Sequence, residues 1–211
     1  MPISERVIPF TADQVGIGTV RFPSGAPIPL ASDIAVDPYY RTRAQANVLV
    51  EGLQFWPQAK GPFPAVILLH ESWGLNVQIK DLGARLAREG YYVILPNLYN
   101  RQGGMVTANT EIAGLLMGRT KDVDLLTDIN SCCEFLNIND SIIKNFHAVV
   151  GFGLGGTLAL QFACKRKRLR AAVSYYGKVS QTIPQIGELY CPVLYHHPAQ
   201  DDWATDADIQ Q

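Results

Sequence analysis

The stretch Gly151-Phe152-Gly153-Leu154-Gly155-Gly156 decides how this sequence is interpreted, because it joins an apolar run at residues 146–152 to a helical pattern at residues 154–167. The apolar run predicts a buried strand, so the glycines mark a sharp strand-to-helix turn. Enzymes that place a nucleophile at such a turn use the pattern G-x-nucleophile-x-G, because small neighbours tolerate a strained central residue. The segment fits this pattern with Gly153 at the position of the nucleophile.

The same glycines allow a second interpretation, a dinucleotide-binding turn, since Gly151, Gly153 and Gly156 match G-x-G-x-x-G. That fingerprint requires an acidic residue about 20 positions further on, where it binds the ribose. Here the corresponding stretch is Ser174-Tyr175-Tyr176-Gly177, which contains no carboxylate. Dinucleotide binding is therefore the weaker alternative.

The sequence around this turn alternates strand-like and helix-like segments. The run AVILLH at residues 65–70 suits a strand buried on both faces, and residues 77–89 carry a helical apolar stripe followed by Gly90 at a C-cap position. Such alternation implies right-handed crossovers. The sequence predicts an α/β fold, a mostly parallel twisted sheet with helices on both faces. The other predicted strands are residues 48–56, 91–95, 169–176 and 191–196, and the other predicted helices are residues 111–119 and 121–136.

The first 46 residues differ from the rest because they are rich in Pro, Gly and Ser, with short β-like runs at residues 7–10 and 19–22. We interpret residues 1–46 as an N-terminal arm or an extra hairpin. Residues 47–211 are predicted to form the α/β domain. A chain of 211 residues is long enough for one such domain with a substantial core.

Composition and charge exclude several classes of function. Hydrophobic residues make up 47% of the chain, charged residues 18%, and the net charge is −1, so no global field favours nucleic acid or an anionic membrane as a partner. No run approaches the ~18 apolar residues of a membrane span, and the N-terminus lacks the apolar run of a secretory signal. We therefore predict a cytoplasmic protein. The basic run from Lys165 to Arg170 falls where a helix should end, a position that favours cations.

The four cysteines form no CxxC pair and lie at no His spacing suited to zinc. Buried free thiols are the expectation, and the sequence predicts neither a metal nor another cofactor. The cysteines are Cys132, Cys133, Cys164 and Cys191.

Five short stretches between about Val48 and Trp203 form a series of motifs. They read His70-Glu71-Ser72-Trp73-Gly74-Leu75-Asn76, Pro96-Asn97-Leu98-Tyr99-Asn100-Arg101, Gly151 to Gly156, Ser174 to Gly177, and Pro192 to Asp201. Together, and in this order, they resemble the H-E-x-x-G-x-N, P-D-L-Y-x-R, G-Y-C-L-G-G, x-Y-Y-G and P-V-L-x-H…x-D motifs of the dienelactone hydrolase family of the α/β-hydrolase superfamily. Asparagine replaces the usual aspartate of the second motif, and glycine replaces the cysteine of the third.

The resemblance implies catalytic roles one position at a time. The nucleophile maps to Gly153, which has no side chain, and the acidic member of the triad maps to Asp201. Glu71 matches the glutamate that interacts with the resting thiol. The oxyanion donors would be the backbone N–H of Leu154 and one near Ser72. The family histidine lies beyond a further helix and strand, so two of the three triad members are expected to be absent from the 211 residues.

The resemblance also implies a substrate pocket. Arg101 matches an arginine that holds the substrate carboxylate, and Trp73 and Tyr99 lie in the matched loops and are expected to contribute to the same pocket.

Several of these residues have simpler explanations. Asp201 could cap a helix, and Glu71 could be a solvated loop carboxylate. His70, His196 and His197 lie at strand ends, where a structural role is favoured over a catalytic one.

The sequence thus predicts a hydrolase by family, acting on ester or lactone bonds, that is inactive or severely impaired because a nucleophile is needed for covalent catalysis. A pocket for a small ester, lactone or carboxylate is expected to remain. The alternatives are a variant of an active hydrolase, and a structural or assembly subunit that uses the N-terminal arm. The strand at residues 191–196, with no strand predicted after it, is expected either to be covered or to pair with a second copy.

Overall fold

The structure, a computed structural model, describes residues 9–25, 48–179 and 187–205. It contains a seven-stranded sheet with the order β1-β2-β4-β3-β5-β6-β7. β1 is antiparallel to β2 and β2 to β4, whereas all other pairs are parallel. The strands are β1 Val15–Pro23, β2 Leu49–Pro57, β3 Phe63–Leu69, β4 Tyr92–Pro96, β5 Ile142–Phe152, β6 Ala171–Tyr175 and β7 Val193–His196.

The described residues contain four α-helices, and three of them pack on the two faces of this sheet. α1 begins after Asn76, whose side chain accepts a hydrogen bond from the backbone N–H of Ile79, and α2 begins after Asn109, which caps its helix in the same way. Apolar clusters lie on both faces, so the central strand β3 is buried on both sides. The α/β fold class predicted from the sequence is confirmed. The helices are α1 Val77–Arg88, α2 Thr110–Gly118, α3 Asp122–Asn137 and α4 Leu154–Ala163, and 3₁₀ turns occupy Ala12–Gln14 and Asn100–Gln102.

Several predicted boundaries differ from the structure, and two of these differences have a clear physical cause. α4 ends at Ala163 rather than at residue 167, because Arg166 turns back to α3 and pairs there with the buried Glu134 (2.6 Å). The basic run therefore follows the helix end, and one of its cations is structural. β5 starts at Ile142 rather than at residue 146, because Ile142 pairs with Phe63 of the central strand.

Both edges of the sheet bear on the sequence predictions. The β-like run at residues 19–22 lies within β1, which pairs with β2 over its whole length, whereas residues 7 and 8 lie outside the described residues. The domain boundary at residue 47 stays a prediction. β7 lies at the other edge in the described part of the chain, and association through it also stays a prediction.

Among residues 9–25, 48–179 and 187–205, no helix is long and apolar enough to span a membrane.

Candidate active site

The strand-to-helix turn between β5 and α4 has the strained geometry that its glycines predict. Gly153 has φ +50° and ψ −112°, backbone angles that a residue with a β-carbon adopts only with steric strain. The Gly153 N–H donates to the carbonyl of Tyr175 (3.0 Å), and the Gly153 carbonyl accepts from the N–H of Thr157 (3.0 Å). The turn, called the elbow from here on, is therefore fixed to β6 and to the first turn of α4.

The glycines of the elbow fall into two groups by the space around them. A Cβ at Gly151 would lie 2.0 Å from the carbonyl oxygen of Gly155, and one at Gly155 would lie 2.5 Å from that of Leu69. These positions exclude any side chain, because α4 approaches the sheet there. A Cβ at Gly153, by contrast, would meet its nearest neighbours, Glu71 Cγ and Tyr176 Cε2, at 3.7 Å, an ordinary contact distance. Among the glycines of the elbow, only Gly153, at the position of the missing nucleophile, therefore has room for a side chain.

Glu71 and Tyr176 flank that position from two different loops. The Tyr176 hydroxyl donates a short hydrogen bond to Glu71 Oε1. Burial, this hydrogen bond, and the charges of Glu71 and Asp201 raise the pKa of Tyr176. The phenol therefore stays protonated at neutral pH and serves as a donor. Tyr176 also has φ +43°, a strained conformation for a residue with a β-carbon, at the edge of the candidate site.

Asp201 is close enough to Tyr176 to influence its pKa, but its side chain already has backbone partners. Its Oδ1 accepts hydrogen bonds from the N–H groups of Trp203 (2.6 Å) and Ala204 (3.2 Å). This is the capping geometry of the simpler explanation, and it stabilises the turn at residues 201–204. A role for Asp201 in orienting an imidazole stays a prediction.

Arg101 does not point a free guanidinium toward the elbow. Its two terminal nitrogens donate to both carboxylate oxygens of Asp128, which is buried in α3. The hydroxyl of Ser24, just after β1, donates to Asp128 (2.6 Å) and accepts from Arg101 (3.1 Å). Burial lowers the pKa of Arg101, but the hydrogen bonds and the charge of Asp128 outweigh this effect and raise it overall. Arg101 thus joins β1, α3 and the turn after β4.

The loop after β3 is held by a buried histidine and a buried tyrosine. His70 is fully buried; its Nε2 accepts from the N–H of Leu98 (3.0 Å), and its Nδ1 lies 2.6 Å from the Glu71 carbonyl, to which it donates. Burial lowers the pKa of His70 to about 4, so this neutral tautomer is fixed. The Tyr99 hydroxyl donates to the carbonyl of Ser72 (2.9 Å). The structural explanation of His70 is confirmed, and Tyr99 has a structural contact where the sequence predicted a substrate contact.

The remaining candidates have fewer contacts. Leu154 is the first residue of α4, and no side chain caps this helix, so its N–H has no partner within the helix. Trp73 is half-buried, and its carbonyl accepts from the N–H of Thr107 (3.1 Å). His196 stacks on Tyr175 with ring centroids 4.2 Å apart. The oxyanion role of Leu154 and the pocket role of Trp73 stay predictions.

Comparison with known proteins agrees with the motifs. A model of the dienelactone hydrolase family matches residues 50–211. The chain belongs to the dienelactone hydrolase family. Proteins named "Putative carboxymethylenebutenolidase" from Escherichia coli K12 and Yersinia pestis are 30% and 34% identical to it over 157 and 124 residues, or 69% and 58% of this chain. Because those matches cover 57% and 46% of the two proteins, the chain spans about half the length of these curated relatives.

Solved structures show the same fold. A Klebsiella pneumoniae protein named "Putative Dienelactone Hydrolase" superposes with a TM-score of 0.74 over 92% of this chain and 78% of its own, at 23% sequence identity. At that identity, the likeness establishes the fold alone.

Sequence reasoning missed two residues of this region. Tyr176 was noted only as part of the family's x-Y-Y-G motif, and its position at the carboxyl end of β6, beside the elbow, was the available signal. Asp128 was not singled out at all. Its position within a helix, 27 residues after Arg101, gave no local sign of the pair.

Proposed function

We propose that this dienelactone hydrolase family member binds a small ester, lactone or carboxylate at the elbow without forming a covalent bond, and that it does not hydrolyse esters or lactones there. The observation that carries the proposal is Gly153 at the apex of the elbow. Acyl transfer needs an oxygen or sulfur atom that attacks the carbonyl carbon, and glycine supplies neither. The missing nucleophile is a property of residue 153 alone, which lies within the described residues.

The groups around the apex support binding. The N–H of Leu154, in the uncapped first turn of α4, is available to donate to a ligand oxygen, and Tyr176 and Glu71 form a polar pair within reach of a group above Gly153. Without an attacking atom, such a site retains only the modest rate that an oxyanion hole and binding provide.

The test compares acylation of four forms of the chain by p-nitrophenyl acetate. The unmodified chain should release p-nitrophenol no faster than a protein control. Gly153→Cys should acylate once per chain and then stall, because a cysteine is a few per cent thiolate near neutral pH and finds Leu154 N–H beside it. Gly153→Ser should remain silent, since a serine needs a base to attack.

The matched control is Gly114→Cys on α2, where a new side chain has nothing within 4 Å. Its exposed thiol should acylate at least about tenfold more slowly than the elbow thiol, because it lacks an oxyanion donor. Mass spectrometry of digested protein locates the acyl group. Repeated turnover by the unmodified chain, abolished by Glu71→Gln, would show that another residue attacks and that the proposal is wrong.

A further inference from the structure

A second cavity lies away from the elbow, between the end of α2, the start of α3 and the 3₁₀ turn that carries Arg101. Its volume is about 450 Å³, whereas the cavity beside Glu71 measures about 20 Å³. Pockets for small molecules typically measure about 300–1,000 Å³, so the larger cavity suits a small organic molecule. Neither Glu71 nor Gly153 lines it. We call it the α2–α3 cavity.

Part of the lining of the α2–α3 cavity is apolar. Leu98, Leu116 and Leu125 line it but are almost completely buried, so the accessible hydrocarbon surface comes mainly from Met105, which is 48% exposed. A ligand with a hydrocarbon body that covers Met105 removes this surface from water, which a bare inorganic ion does not.

The charged residues that line the α2–α3 cavity include two cations that are available to bind a ligand. Asp128 holds the guanidinium of Arg101, and Asp124 adds a second negative charge near it. Arg119 and Lys121 also line the cavity, and their side chains form no ion pair with a carboxylate in the described ranges. Asp124 itself lines the cavity, so three cations (Arg101, Arg119 and Lys121) stand against two carboxylates (Asp124 and Asp128), and the local excess is one positive charge.

The two cations are close together along the chain. Arg119 is the C-cap residue of α2 and Lys121 the N-cap residue of α3, so only Thr120 separates them, and both line the cavity. Gln102 Nε2 donates to the Arg119 carbonyl (3.3 Å) and ties this junction to the 3₁₀ turn. The start of α3 adds little attraction for an anion, because Asp122 and Asp124 lie in its first turn.

We propose that the α2–α3 cavity binds a small organic monocarboxylate, with the carboxylate against Arg119 and Lys121 and the hydrocarbon body against Met105. The planar guanidinium of Arg119 matches a carboxylate with two parallel hydrogen bonds, and Lys121 adds a point charge. This site does not depend on the proposed function of the elbow, since it shares no residue with Gly153, Glu71 or Tyr176.

The test is a titration of the 211-residue chain with benzoate, followed by the backbone amide signals in ¹H–¹⁵N NMR spectra. Benzoate should shift the amides of residues 116–125 in a saturable manner. The neutral analogue benzamide and inorganic phosphate should each bind at least about tenfold more weakly, because one lacks the charge and the other the apolar body. Arg119→Gln and Lys121→Gln should each weaken benzoate binding about tenfold.

Lys60→Gln is the matched control, because Lys60 is exposed in the β2–β3 connection and does not line the cavity. It should leave benzoate affinity unchanged. Both cavity variants remove exposed charges, and a thermal melt verifies that they fold. Three results would overturn the proposal: no saturable shift at residues 116–125, equal affinity for phosphate, or shifts centred on Glu71 and Leu154.

Discussion

The elbow and the turn after β4 both match motifs of the dienelactone hydrolase family, yet they keep opposite parts of the match. At the elbow the backbone geometry is present, with Gly153 at φ +50°, and the reactive side chain is missing. After β4 the side chain is present, but Arg101 is paired with Asp128 instead of facing the elbow. A motif match therefore predicts the path of the backbone, whereas the function of a side chain depends on partners that the motif does not contain.

The largest expected effect tests how closely the backbone packs at the elbow. Gly151→Ala should lower the free energy of unfolding by about 4 kcal/mol, because its Cβ would overlap a backbone oxygen that cannot move without shifting α4. Gly153→Ala should cost only about 1–2 kcal/mol, the strain of a left-handed backbone. Urea unfolding curves of the two variants measure the difference. Equal losses would mean that the elbow does not pack as described.

The second effect tests whether Arg101 is structural. Arg101→Gln should lower the free energy of unfolding by about 3 kcal/mol, since it leaves the buried carboxylate of Asp128 without its partner. The matched control is Arg85→Gln, which breaks an exposed pair with Asp81 (3.7 Å) and should cost less than about 0.5 kcal/mol. If both substitutions were equally mild, Arg101 would be available for a ligand and the family role would regain support.

The smallest effect concerns His70, which links the two regions through Leu98 and Glu71. Burial lowers the pKa of His70 to about 4, below the usual value of about 6.5, so between these values the unfolded chain binds more protons than the folded one. Stability therefore falls as the pH is lowered through this window, by about 2 kcal/mol between pH 6.5 and 5 from His70 alone.

Unfolding curves at several pH values check this dependence. His70→Gln should reduce the slope of the free energy of unfolding against pH by an amount that corresponds to nearly one bound proton. His147, whose pKa burial also lowers to about 4, contributes separately, so His147→Gln should leave the His70 contribution in place. An unchanged slope in His70→Gln would contradict the lowered pKa of His70.

Local sequence patterns predicted the parts of the molecule that depend on neighbouring residues. The elbow and the alternation of strands and helices follow from contiguous apolar runs and glycines, and the structure confirms them. The partner of Arg101 was not predictable in this way, because Asp128 lies 27 residues and Ser24 77 residues away along the chain. The end of α4 was misplaced for the same reason, since the contact of Arg166 with Glu134 spans 32 residues.

The room above Gly153 also has a consequence for the genetics of this protein. Every glycine codon that ends in a pyrimidine becomes a cysteine or a serine codon through one change at its first base. The neighbouring glycines cannot accept such a change, because the fold leaves no space for a β-carbon there, whereas position 153 can. Where the codon of Gly153 ends in a pyrimidine, an attacking sulfur or oxygen atom is thus one base change away, at the one glycine of the elbow that has space for a β-carbon.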